Sequence, residues 1–513
     1  MEKRLNKGNR TDFTWIIILK GDVGVKKEKV FSFCSQFSLL LLCMLMADCC
    51  IAGAGRIIMI GPVSFRMLAF ALLLVTSIPL VIDNFKKLMG IPEFIAVIFF
   101  FVWLVIEIII GALINKNPLH VLFSDVKGFS YFIAAPAMIC ILNTKERIHI
   151  IMKVMMYASG VLGIVAIIHL IHFIWFKESF EPVYLWGLNA QFSALSTISP
   201  TMPRLFFKSS VYLLVGCAFP LYFQIVSEKI KNTYFLIVGI NMFSILLTYT
   251  RSIYLGAGVT VLVLLVCYLV FCPAKSKKCF GKCILASLLS FLIVTTSFCI
   301  AAKTDYFSFA ITRTLLSFST NSDSDDLSSS ESSDDSQIIS TPSEAASKVH
   351  SDVSESLVES PKDNEQLTDE DSYKLATQKS DVLREDISKD LILMIANSPV
   401  MGNGLGATLE WREYNEYFYL ELMAKTGIIG LLLYMAPMLL SVYRVLKQRK
   451  KCWRNKVLSF TWLSVLLGFM AFSYFNPYMN AALGVLFYCC FIAVINTATV
   501  SYTHLTLPTN SLV

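Results

Sequence analysis

The sequence predicts an all-α polytopic membrane protein, and three observations lead there. Hydrophobic residues fill 55% of the 513 positions and charged residues only 16%. Several apolar runs exceed the roughly 18 residues that mark a membrane span, and they are too long and too uniformly apolar for barrel strands. Hydrocarbon offers no water to backbone N–H and C=O groups, so helices are the remaining way across.

Apolar windows place twelve spans at 31–51, 66–83, 92–114, 128–143, 150–175, 209–227, 233–250, 252–272, 283–302, 427–446, 457–474 and 480–497. Lys and Arg crowd the connections on one side: Lys26, Lys27 and Lys29, then Lys86 and Lys87, "KSKK" from Lys275 and "KQRKKCWRNK" from Lys447. The positive-inside rule makes that side cytoplasmic and puts both termini there. The opposite side receives residues 52–65, 115–127, 176–208, the turn at Arg251 and a long external loop, 303–426, between spans nine and ten.

A net basic stretch, residues 1–30, precedes the first span and does not read as a cleavable signal. Most cysteines lie in apolar runs and behave as small hydrophobes. Cys279 and Cys283 have C-x-x-x-C spacing, but only Cys272 stands near and the surroundings are lysine-rich, so no metal is expected. His169 and His172, at i, i+3 on the fifth span with Glu178 nearby, read as packing residues rather than metal ligands. Asp48 and Glu107 lie toward the outer ends of spans one and three, where a polar pathway and a buried helix–helix hydrogen bond are both open. The terminal "SYTHLTLPTNSLV", residues 501–513, fits no span, basic tail or cap and is excluded as a non-native extension.

Within the long loop, residues 319–372 are rich in Ser, Asp and Glu. They carry too little apolar surface to offset their ordering entropy, so a solvated insertion is expected. An ordered segment, 381–426, should follow. "DVLREDISKDLILMIANSP" places Ile387, Leu391, Met394 and Ile395 at helical spacing and stops at Ser398-Pro399.

Next comes "MGNGLG". Gly402, Gly404 and Gly406 permit a tight turn whose N–H groups can hold an anion; a plain turn is the equal alternative. A nucleotide loop is excluded, because no strand precedes it and no Lys-Ser/Thr follows. Arg412, Glu413, Tyr414, Glu416 and Tyr417 then combine carboxylates with aromatic faces, the residue types that hold sugars. Arg251 and Arg204 supply the opposite charge at the outer boundary, where a guanidinium fork suits pyrophosphate oxygens.

This order of features resembles the O-antigen ligase/polymerase superfamily of bacterial envelope glycosyltransferases. The matching pieces are "YTRSIYLGAG" with Arg251, "LREDISKDLILMIANSPVMGNGLG" with Arg384, Pro399 and the glycines, and "EYFYLELMAKTGIIG" with Gly427 and Gly430. They lie within a resemblance that spans about residues 30–497. It implies transfer of glycan from a polyprenyl-diphosphate carrier on the outer face of the bacterial cytoplasmic membrane, without metal or cofactor. The diphosphate would be held by Arg251, Arg204 and Arg384. Donor, glycan acceptor and lipid bilayer would be its partners, with the flippase and chain-length regulator of the same pathway and no nucleic acid.

In ligases of that family a histidine stands eleven positions before the "TG" glycine. Here that place holds Glu416, followed by Tyr417. The departure favours a polymerase of carrier-linked repeat units over a ligase. It makes Glu416 the expected general base and Glu413 the second. A lipid-linked oligosaccharide flippase is the alternative of another class, but no internal repeat supports it.

Overall fold

A computed structural model describes residues 23–199, 202–227, 231–302, 369–413, 415–447 and 453–500. Most of the basic N-terminus, nearly all of the acidic insertion, Tyr414 and residues 501–513 lie outside the described residues. The chain is an all-α polytopic membrane protein. Among the described residues, ten helices are long and apolar enough to cross a bilayer.

Three helices open the chain: α1 (Val23–Ile51), α2 (Phe65–Leu88) and α3 (Pro92–Ile109). Ser64 caps α2 by accepting the Met67 N–H, Lys86 and Lys87 complement the helix dipole at its end, and Pro92 starts α3 where no N–H is needed. A π-turn, Ile110–Ile114, continues α3.

The expected fourth span is instead a composite. α4 (Leu119–Ser130), a 3₁₀ turn (Tyr131–Ala134) and α5 (Ala135–Ile141) follow one another. Pro136 in the first turn of α5 lacks an N–H and would clash with the preceding turn of an unbroken helix, which explains the break. α6 (Lys145–Trp175), capped by Thr144, leads to the short surface helix α7 (Lys177–Asn189) and then to α8 (Leu213–Ser227).

The seventh span, α9 (Asn232–Leu247), has only 16 residues, about 24 Å of helix against a core of about 30 Å. The chain reverses there through Tyr249, a non-glycine residue at φ 44°, and descends as α10 (Arg251–Phe271), then returns as α11 (Ala274–Ala302). Beyond the insertion stand α12 (Asp369–Asn397), α13 (Phe418–Lys447), α14 (Trp453–Phe472) and α15 (Ala482–Val500).

The only strands among the described residues form two antiparallel hairpins, β1 (Met59–Ile60) with β2 (Val63–Ser64), and β3 (Ser193–Ser199) with β4 (Met202–Phe207).

α15 and α14 form the centre of the bundle, with 94% and 83% of their spans buried, against 28% for α2 and 22% for α11. Around that centre Phe100, Phe132, Tyr434 and Tyr488 interlock edge to face at 5.5–5.8 Å. The same aromatics mend the backbone that Pro437 interrupts in α13. The Met438 N–H donates to Tyr488 Oη, and Tyr488 Oη donates to the Tyr434 carbonyl.

Buried charges are paired across helices. Arg66 Nε donates to Asp48 Oδ2 at 2.6 Å, joining α1 to α2, and Arg444 joins Glu93 and Thr499 at the lysine-rich end. Asp48 is therefore an ion-pair member. Glu107 differs: its two carboxyl oxygens are buried without a hydrogen-bond partner. His169 donates from Nδ1 to the Val165 carbonyl and packs against Phe192 and Phe207.

Candidate functional site

The glycine turn joins three helices. Gly402, Gly404 and Gly406 all have φ near +80°, a region that costs other residues about 1–2 kcal/mol. Each also lies against backbone or side chain: Gly402 on Lys425 and Gly427, Gly404 on Gly111 of the π-turn, Gly406 on Leu122 of α4. Gly427, at φ 64°, kinks α13 where Val400 crosses it. Sequence spacing suggests the tight turn, but only the fold shows what the glycines touch.

The turn's N–H groups serve the protein itself. Gly402 donates to the Ser398 carbonyl, Asn403 to Ala424, Leu405 to Glu107 and Gly406 to Asp125 Oδ2. Of the three glycines expected to bind substrate, Gly402 and Gly406 spend their N–H groups on the protein's own acceptors, the Gly406 N–H on the Asp125 carboxylate. Asn115 and Asn117 tie down the same turn by donating to the Asn403 and Leu405 carbonyls.

Beneath it lies a buried charge cluster that the sequence did not disclose. Lys425 Nζ donates to Asp125 Oδ1 at 2.9 Å and to Glu421 Oε1 at 2.6 Å. These side chains, with Phe129, Leu405, Phe418 and Asn480, line a small cavity. Glu421 and Lys425 stand at i, i+4 on α13, whereas Asp125 is 300 residues away from Lys425 in the chain.

The segment leaving this seat is fixed from its other side by α12. Ile387 and Leu391 bury against Leu409, Tyr417 and Ala424, with Met394 and Ile395 beside them. All four residues of the expected apolar face are thus used. Tyr417, expected to bind sugar, is corrected to a core residue: it is 8% exposed and its ring packs on Tyr474 and Phe475 at 5.9 and 5.8 Å.

Docking of α12 brings Arg384 to Glu416. Arg384 Nε donates to Oε2 at 3.1 Å, and Arg412 Nη2 donates to Oε1 at 3.3 Å. All three side chains are about one-third exposed. Both oxygens of Glu416, the expected base, are thus engaged by guanidinium groups, and the carboxylate holds the two arginines side by side.

Glu413 has another partner. Its Oε1 lies 3.1 Å from Nε2 of His120 at the start of α4, and both side chains are more than half exposed. Donation of Nε2–H to this carboxylate would orient the ring. His120 was missed in the sequence because nothing near "NPLH" marks it; the dyad exists only after α4 and residue 413 meet.

Arg251 is exposed as the first residue of α10. A cation gains nothing from a helix N-terminus, whose dipole favours anions, so helix stability does not explain its choice. Asn476 Nδ2 donates to the neighbouring Ser252 at 2.7 Å, and residues 474–475 pack on Tyr417, which places the start of α10 on the same aromatic patch. The Arg204 backbone pairs with Ser196 in the β3–β4 hairpin beside α12; its side chain, like all of Tyr414, lies outside the described residues. Thus the fold gathers Arg384, Arg412, Glu413 and Glu416, adds His120, and sets the elements bearing Arg251 and Arg204 around them. Comparison with protein-family models and with curated proteins returns no match for this chain.

Proposed function

We propose that this protein is a metal-independent membrane glycosyltransferase that polymerises polyprenyl-diphosphate-linked oligosaccharide repeat units on the outer face of the bacterial cytoplasmic membrane, with both termini inside. The observation that carries this reading is the convergence of Arg384 and Arg412 on Glu416 beside the His120–Glu413 dyad. This cluster lies on the face opposite the lysine-rich connections. A fixed pair of guanidinium groups suits a leaving diphosphate, whose charge needs stabilising more than protonation. A histidine held by a carboxylate suits deprotonation of a sugar hydroxyl.

In the proposed step the acceptor hydroxyl gives its proton to His120 Nδ1, and its oxygen bonds to the anomeric carbon of the donor glycan. The bond from that carbon to the diphosphate oxygen breaks, and its electron pair leaves on the diphosphate, neutralised by Arg384 and Arg412 with Arg251 as a third cation. Glu413 holds the imidazole tautomer and Glu416 holds the two arginines. The glycan on one carrier grows by one repeat unit and the other carrier departs as its diphosphate.

The test uses purified protein in lipid with carrier-linked repeat units from the host pathway, with products resolved by length. Wild type should give a ladder of longer glycans. His120→Ala should slow it by about 100- to 10,000-fold, the range for loss of a general base, and Arg384→Ala should abolish it. A folded wild type that moves the lipid-linked unit across the bilayer without lengthening it would replace this proposal with a flippase.

A further inference from the structure

The connection between α1 and α2 carries a feature that neither packing nor the proposed reaction uses. The β1–β2 hairpin is apolar and faces outward: Ile58, Met59, Ile60 and Val63 are 39–57% exposed. Two spans flank it, α1 ending at Ile51 and α2 starting at Phe65. On the same end of the bundle, Trp175, Phe176, Leu185 and Trp186 are also exposed. Trp at that level marks the boundary between hydrocarbon and headgroups.

At the base of the hairpin stand two cations, Arg56 and Lys208. Their segments are bound together: the Ala54 N–H donates to the Gln191 carbonyl, the Gly53 N–H to Ser209 Oγ, and the Lys208 N–H to the Phe192 carbonyl. Arg56 is exposed and Lys208 half-buried. Burial, with Arg56 beside it, pushes the Lys208 ammonium below the usual lysine range. No carboxylate among the described residues pairs with either cation. Two like charges held together without a counter-ion are unfavourable alone and favourable around an anion.

We propose that Arg56, Lys208 and the β1–β2 hairpin form a docking site for an anionic phospholipid, with its phosphodiester between the two cations and its acyl chains along the hairpin. Apolar insertion and cationic attraction are the two contributions that hold a protein element in a charged interface. The site is independent of the proposed glycan chemistry and would stand if that reading failed.

The test uses the full chain purified in neutral detergent from vesicles of equal phosphatidylglycerol and phosphatidylcholine, with retained lipid counted by native mass spectrometry. Wild type should retain phosphatidylglycerol preferentially. Arg56→Gln and Lys208→Gln should each lower that retention about fivefold, the effect of one cation near an anionic surface. Lys208→Arg should keep it, and Lys389→Gln, at an exposed ion-paired lysine, should leave it unchanged. Ile58→Ser with Ile60→Ser should lower retention of both lipids. Equal retention by wild type and the Arg56→Gln and Lys208→Gln variants would overturn the proposal. So would displacement of phosphatidylglycerol by an equal fraction of polyprenyl diphosphate, which would assign the cations to the carrier.

Discussion

Replacing Lys425 by Met should release the glycine turn from its seat. Lys425 touches two carboxylates, at 2.9 and 2.6 Å, and all three side chains are nearly buried. At the effective dielectric that reproduces protein ion pairs, each contact is worth about 6 kcal/mol of gross attraction. Mutual repulsion of Asp125 and Glu421 and desolvation of three ions cancel most of it. After the substitution the orphan acids can instead take up a proton, which costs an ordinary carboxyl about 4 kcal/mol at neutral pH. The net loss should therefore settle at about 3–5 kcal/mol, the range for breaking a buried pair from one side. Denaturant titration of the protein in lipid discs, with unfolding followed by tryptophan fluorescence, measures it. The triple variant Asp125→Asn, Glu421→Gln, Lys425→Met removes every charge and should recover most of the loss. A Lys425→Met protein within about 1 kcal/mol of wild type would refute the reasoning, because the triad would then be no more than a solvated surface pair.

Gly404→Ala should lower the yield of folded protein sharply, since its side chain meets the backbone of Gly111, whereas Gly61→Ala, at φ 61° with open space around it, should cost only the about 1–2 kcal/mol of backbone strain; paired expression and melting experiments compare them. Glu107→Gln should leave stability close to unchanged, because the amide fills the same space and no hydrogen bond to the carboxyl is lost; a loss above about 2 kcal/mol would show that the carboxyl has an unseen role. Arg384→Lys should lose most of the polymer ladder while keeping the fold, because an ammonium cannot reproduce the guanidinium fork. Trp411→Phe removes an exposed hydrogen bond to Asp390 and should cost no more than about 1.5 kcal/mol by the same denaturant titration.

The spans could be read from the sequence because lipid imposes length and apolarity locally, one helix at a time. The fourth and seventh were harder for the same reason. Pro136 breaks an otherwise apolar run, and α9 stops short of bilayer thickness, so window averages hid a composite and a short helix. The apolar face of α12 was equally visible, since Ile387, Leu391, Met394 and Ile395 advertise themselves by spacing alone. Roles that depend on distant partners were not. Glycines that looked like an anion nest are a wedge, Tyr417 is core, and Glu416 is occupied, each because of residues on α3, α4, α12 or α14's far end that no local pattern names.

These corrections also explain why so polar a segment sits where the chain re-enters the bilayer. A twenty-residue excursion from helix into helix, residues 398–417, would ordinarily be mobile, and catalytic groups on it would be poorly placed. Here the turn is wedged against Gly111, Leu122 and Gly427, and Asp125 fastens it from α4. Leu409 and Tyr417 fasten the stretch beyond it to α12. What remains between those anchors is the run that contains Arg412, Glu413 and Glu416, and each of these finds a partner from α4, α12 or its own strand of chain. The same elements that bury the greasy end of α13 therefore set the register of the charged run. A site built this way responds to damage in the wedge even where no charged residue is altered. Gly404→Ala or Lys425→Met should separate Arg384 from Glu416 before either arginine is touched.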